Sequence, residues 1–101
     1  MIKNANDKDF NDIVLGSKIA VVDFWAPWCG PCQAFGPILE EFSNEVSDVV
    51  VAKVNVDECP DLARAYKISS IPSIILFVDG VATKLLVGLQ SKDALKKLIG
   101  K

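Results

Sequence analysis

Between Lys18 and Trp25 the chain reads KIAVVDFW, an apolar run rich in β-branched residues and interrupted by one acid, Asp23. A strand with one wet face alternates apolar and polar residues. A run without alternation belongs to a strand covered on both faces, the inside of an α/β sheet. DVVVAKVNVD (48–57) is a second such run, and SIILFV (73–78) a third. Between the first two, Phe35, Ile38, Leu39, Phe42 and Val46 mark the inner face of a helix, with Pro37 inside it as an expected kink. Asn6 or Asp7 caps an earlier helix with Phe10, Ile13 and Val14 at helical spacing, and Gly16 stops it. Pro60 opens a short helix carrying Leu62, Ala63, Ala65 and Tyr66. Asp79-Gly80 is a two-residue hairpin turn that returns VATKLLVG (81–88) antiparallel. Ser91 caps a last helix with Leu95, Leu98 and Ile99 inward. Strands alternating with helices predict an α/β layer fold with parallel central strands, and the terminal hairpin makes the sheet mixed.

The chain has 101 residues, the size of a single domain spanning 1–101, and half of them are apolar, enough for a core. A formal charge of −2 with scattered basic residues argues against a nucleic-acid footprint. MIKNANDKDF lacks the apolar core of a signal peptide, and IAVV and VVVA are too short to cross a bilayer. The expectation is a soluble, cytoplasmic, monomeric protein without a membrane or nucleic-acid partner.

The three cysteines are Cys29, Cys32 and Cys59, and there is no histidine. The pair in WCGPC admits three readings. A structural metal site wants four ligands, and here Cys59 would be a third with only a carboxylate or a partner chain left for the fourth. A structural disulfide closing so small a loop removes little entropy from the unfolded chain. The redox reading fits the local physics best. Cys29 would end the loop after a buried strand, with the next helix starting at about Pro31 or Cys32. Free N–H groups and the positive end of the helix dipole would face its sulfur and favour the thiolate, the reactive form. Cys32 would lie one turn inside. Gly30 lets the backbone turn and another chain approach, and Pro31 suits a first helical position. A Cys-x-x-Cys beside a βαβ pattern is a known redox signature.

With WAPWCGPC (25–32) in place, the chain resembles the thioredoxin family, and the likeness runs through almost its whole length. VVDFWA places Asp23 where the family carries a buried acid, PILEEFS places Pro37 at its helix proline, and VAKVNVD places Lys53 at its buried lysine. SSIPS sets Ile71-Pro72 at the cis-proline loop, and FVDG and VG supply Gly80 and Gly88. The resemblance implies the thioredoxin fold, a central mixed sheet with helices on both faces. It implies a general protein-disulfide reductase in which Cys29 is the nucleophile and Cys32 resolves the mixed disulfide. Gly30 and Pro31 tune the pair. Asp23 would accept and return the proton of Cys32, since burial raises a carboxyl pKa toward neutrality. Lys53 would be its partner and moderate that shift. Trp28, Gly30, Ile71, cis Pro72, Gly88 and Leu89 would form an apolar rim for substrate, with Trp25 packed beneath. No metal or cofactor is implied in the chain. Reducing equivalents would come from a thioredoxin reductase, usually NADPH-dependent, and pass to disulfide-containing proteins.

Three positions depart from the family pattern. Gln33 stands where lysine or arginine is usual, which removes a cation near the sulfur. Ser73 replaces a threonine, and Leu89 is bulkier than the small residue common there. Cys59 is expected to fill a helix start, with a regulatory or oxidation-sensitive thiol as the lesser alternative, since helix N-termini can activate cysteine. Two other functions compete with the reductase. One is a thiol oxidant or isomerase, whose relatives usually carry histidine where this chain has Pro31. The other is a binding subunit that uses the rim without electron transfer.

Overall fold

In the computed structural model, which describes residues 1–101, five strands form one mixed sheet. β1 is Ile2–Asn4, β2 Ile19–Trp25, β3 Val50–Asn55, β4 Ser73–Val78 and β5 Val81–Val87. Their spatial order is β1-β3-β2-β4-β5. The helices are α1 (Gly30–Glu45), α2 (Pro60–Ala65) and α3 (Lys92–Leu98), and a π-helical segment, Asn11–Leu15, precedes β2.

β2 lies at the centre, and its residues face two cores in alternation. Ala20, Val22 and Phe24 join Phe10, Val14 and Phe77 on one side of the sheet. Val21 joins Phe35, Leu39, Phe42 and Leu95 on the other, beneath α1 and α3. This is why KIAVVDFW shows no polar face. Each buried Val or Phe contributes about 1.5–3 kcal/mol, which leaves the strand able to carry one ionisable side chain in its middle.

Parallel pairing ends one strand sooner than the alternation of elements predicts. β1, β3 and β2 run parallel, but β4 is antiparallel to β2. The cause is the short helix in the connection. A parallel return needs a crossover of a dozen or more residues, usually a helix that spans the sheet. α2 has six residues, so it rises only about 9 Å. The chain therefore re-enters the sheet at the end where it left. The Asp79-Gly80 turn forms as predicted, with both residues at positive φ (51° and 80°), the two-residue hairpin geometry. β1 escapes sequence reading because three residues carry no period. Its place comes from pairing Ile2–Asn4 with Val51–Lys53.

The first helical segment is π-type rather than α, and Asn6 is the residue that caps its approach. Asn6 Oδ1 accepts the N–H groups of Lys8 (2.8 Å) and Asp9 (3.1 Å), and Asp9 Oδ1 accepts that of Asn6 at 2.7 Å. Gly16 ends the segment with φ −81°, so no left-handed conformation demands glycine there. Space does: a Cβ on Gly16 would stand 2.8 Å from the carbonyl oxygen of Asp12. Gly16→Ala is expected to lower stability by about 1–3 kcal/mol, because backbone must move to admit the methyl. A lower urea midpoint with an unchanged m-value is the expected reading, and an unshifted midpoint would contradict the close approach.

On the opposite side, Ser91 caps α3 by accepting the N–H of Ala94 at 3.1 Å. Lys92 and Lys96 of α3 each reach the Glu45 carboxylate at 2.6 Å. The bond from Lys92, then that from Lys96, holds the Glu45 pKa down at about 2. These contacts seat α3 against the end of α1, leaving the start of α1 as the open end of that layer.

Candidate active site

β2 feeds Ala26, Pro27 and Trp28 into the start of α1. Because β2 is bonded on both sides, the loop begins from a fixed point. Cys29 N-caps α1 in an extended conformation (φ −88°, ψ 113°), and its Sγ accepts the Cys32 N–H at 3.2 Å. The sulfur thus occupies the place a serine or aspartate oxygen takes in ordinary caps, at the positive end of a 16-residue helix. Cys29 and Cys32 are joined as a disulfide, with Cα atoms 5.2 Å apart. Both are nearly buried in this bonded form, packed with Ala26 and flanked by Trp25, Val56 and Ile71.

Pro31 lies in the first turn of α1, where its missing N–H has no intrahelical acceptor to forgo. Gly30 is placed differently from the sequence argument. It lies within the helix without a positive φ, so the turn does not require glycine. A Cβ there would meet nothing within 4 Å, so the room it leaves faces outward.

A later part of the chain approaches the sulfur. The Ile71-Pro72 bond is cis, and the Ile71 carbonyl oxygen lies 3.8 Å from Cys29 Sγ. Gly88 N–H donates to the Pro72 carbonyl at 2.8 Å, and Gly88 has φ 92°, which favours glycine. Leu89 follows it, exposed. Trp28 is 70% exposed, so its ring is held by little packing. Its Nε1 donates to Asp57 Oδ2 at 2.8 Å. Asp57 is the residue that sequence reasoning missed. It lies 29 positions away in the loop after β3, and nothing in its local sequence signals the contact.

Asp23 sits opposite Lys53 on β3 and Ile74 on β4. By strand alternation it shares a face with Val21, the face covered by α1. Its side chain is buried, and neither carboxylate oxygen has a hydrogen-bond partner. Burial raises its pKa to about 7, and the charge of Lys53 limits that rise. Lys53 acts at a distance, since its ammonium lies 4.1 Å from the centroid of the Trp25 ring, a cation–π contact. Lys53 and Trp25 also line a cleft of about 320 Å³ with Asn4, Asn55 and Glu58 at the ends of the parallel strands.

Cys59 belongs to the core cluster of Phe10 and Phe77, apart from the cysteine pair. It precedes α2 without a capping bond from its side chain. Burial, then the nearby Asp7 charge, pushes its thiol above the ordinary range. No group of three or more Cys, Asp or Glu side chains converges to hold a metal. No helix is long and apolar enough to cross a membrane.

Comparison with known proteins agrees with this geometry. Residues 1–101 match the family model described as Thioredoxin. A thioredoxin of Rickettsia prowazekii is 46% identical over 103 aligned positions, covering 100% of this chain and 98% of the relative. One of Chlamydia caviae is 43% identical over 99 residues, covering 98% of this chain and 96% of the relative. Among solved structures, a single-substitution mutant of thioredoxin from Halobacterium salinarum NRC-1 superposes with a TM-score of 0.90 at 39% identity, over 97% of this chain and 87% of that one. A redox-type cysteine pair at a helix start, on this sheet and with these relatives, has one reading: the chain belongs to the thioredoxin family of dithiol–disulfide oxidoreductases.

Proposed function

We propose that this chain is a general protein-disulfide reductase working through a mixed disulfide. The observation that carries the reading is Cys29 Sγ at the cap of α1, accepting the Cys32 N–H at 3.2 Å. The same donor and the helix dipole would stabilise a thiolate once the pair is reduced. That thiolate attacks one sulfur of a substrate disulfide. The substrate S–S bond breaks, its second sulfur leaves with the electron pair and takes a proton, and a Cys29–substrate bond forms. Cys32 then gives its proton to the Asp23 carboxylate and attacks Cys29 Sγ. The Cys29–Cys32 bond forms, the bond between Cys29 and the attacked substrate sulfur breaks, and that first sulfur leaves as a thiolate. Two electrons have passed from the chain to the substrate. A pKa of about 7 lets Asp23 take and return a proton near neutral pH.

The rim of Trp28, Ile71, Pro72, Gly88 and Leu89 accepts an extended segment around the target cystine, with Gly30 leaving space beside the sulfur. Lys53 limits the rise of the Asp23 pKa. The pair is recharged by a thioredoxin reductase drawing on NADPH, with no cofactor in the chain itself, and the protein works as a cytoplasmic monomer.

An equilibrium redox titration followed by Trp25 and Trp28 fluorescence tests the reading. A two-electron midpoint of about −270 mV is expected, the value general to thioredoxins rather than one peculiar to this chain. A midpoint above about −200 mV would instead mark an oxidant or isomerase. The absence of any reversible transition would leave only a binding role.

A further inference from the structure

Gln33 lies in the first turns of α1, directly after Cys32. A long side chain on a helix turns back toward the N-terminus and covers the preceding turn. Gln33 does this, and its Nε2 donates to the Pro27 carbonyl at 2.6 Å. Two backbone bonds already shape the loop. The Cys29 N–H donates to Ala26 and the Gln33 N–H to Cys29, each at 3.2 Å. The Gln33 side chain adds the bond that spans from the helix to the peptide preceding Trp28. Pro27 and Trp28 are both exposed, so packing does not fix that peptide. The far end of the tryptophan is tied to Asp57. Gln33 therefore holds the root of Trp28, and Asp57 holds its tip.

We propose that Gln33 is a positioning residue of the redox site, which keeps Trp28 in the pose that docks a protein disulfide by holding the Pro27 carbonyl against the first turn of α1. The inference rests on the disulfide-exchange reading above. A cation at this position would act on the sulfur through charge. The neutral amide acts through geometry, and its effect falls on substrates large enough to lean on Trp28. A small disulfide that touches only Cys29 is indifferent to it.

Gln33→Met keeps length and neutrality but removes the donor, and Gln33→Lys restores a donor. Each full-length variant is assayed for reduction of insulin and for the reaction of its reduced form with the small disulfide 5,5′-dithiobis(2-nitrobenzoate). The ¹H–¹⁵N heteronuclear NOE of the Trp28 indole N–H is recorded alongside. Loss of one neutral hydrogen bond predicts that Gln33→Met raises the insulin KM about two- to tenfold, with kcat and the small-disulfide rate within about twofold. The indole NOE falls in Gln33→Met, and Gln33→Lys recovers both KM and NOE. An unchanged KM overturns the proposal. So does a raised KM with an unchanged NOE, which would put Gln33 in direct contact with substrate. Failure of Gln33→Lys to recover them overturns it as well. If the unsubstituted chain does not reduce insulin, the exchange reading fails, while an unchanged NOE in Gln33→Met separately rejects the tether.

Discussion

Cys29→Ser is expected to abolish reduction of protein disulfides, with a loss on the order of 10⁴-fold or more, because no other accessible thiol can replace the nucleophile. Cys59 is buried in a separate core cluster, and its raised pKa keeps it as the unreactive thiol. Cys32→Ser is expected to lose turnover as fully, by another route. Cys29 still attacks, but nothing resolves the product, so one equivalent of substrate remains bound through Cys29. Intact-mass spectrometry of Cys32→Ser incubated with insulin reads this directly as a single adduct that dithiothreitol removes. An adduct mapped to Cys59, or none at all, would refute the division of roles. The double variant, Cys29→Ser with Cys32→Ser, decides against a binding role, since a scaffold would keep its function without either sulfur. None of these substitutions should disturb the fold, because the pair closes a loop of only three residues' separation and removes little chain entropy.

Asp23→Asn is expected to stabilise the protein and to slow it. In the folded state the carboxyl has a pKa raised by burial to about 7, from an ordinary value of 3.8. Folding favours the protonated form, so the stability is fully present below about pH 4 and is lost as pH rises through about 7. Above that, the wild-type chain is less stable by roughly 4 kcal/mol than it would be with a group that never ionises. Asparagine is such a group of nearly equal size. Urea midpoints of the two proteins should coincide near pH 4, separate as pH rises to about 7 and then hold a constant gap up to pH 8.5, with the variant the more stable. Parallel curves across that range would mean that the carboxyl does not titrate there. Activity moves the other way. Without an acceptor for the Cys32 proton, the second step is expected to slow by about a hundredfold. The single-turnover rate should also lose its inflection near pH 7. The gain in stability and the loss in rate come from one buried charge.

The sequence was most informative where one physical demand dominated. KIAVVDFW had to be covered on both faces, and the structure covers it with two separate cores. Asp79-Gly80 had to accept two positive φ values, and does. The cysteine pair was legible because a cap, a dipole and a proline at the helix start all favour the same site. Legibility failed where distant pieces decided the outcome. β1 has three residues and no period, and exists because β3 offers it an edge. The reversal of β4 reflects the brevity of α2 rather than anything within SIILFV. Asp57 and Pro27 are ordinary loop residues until the fold brings them to Trp28 and Gln33. Lys53 is half-buried rather than buried, and its ammonium rests on Trp25, a choice that only the packed side chains make.

With the active-site pair bonded, Cys59 is the one free thiol in the molecule, and it is 1% exposed. It is walled in by residues from the first helical segment, the sheet and α2 at once. A thiol reagent added to the oxidised protein therefore reacts only with molecules that have opened that core. The labelling rate is set by the opening equilibrium multiplied by the intrinsic speed of the reagent. The chain thus carries its own clock for the opening of that core, separate from the chemistry of the active-site pair, and the colour change of an ordinary thiol reagent suffices to read it.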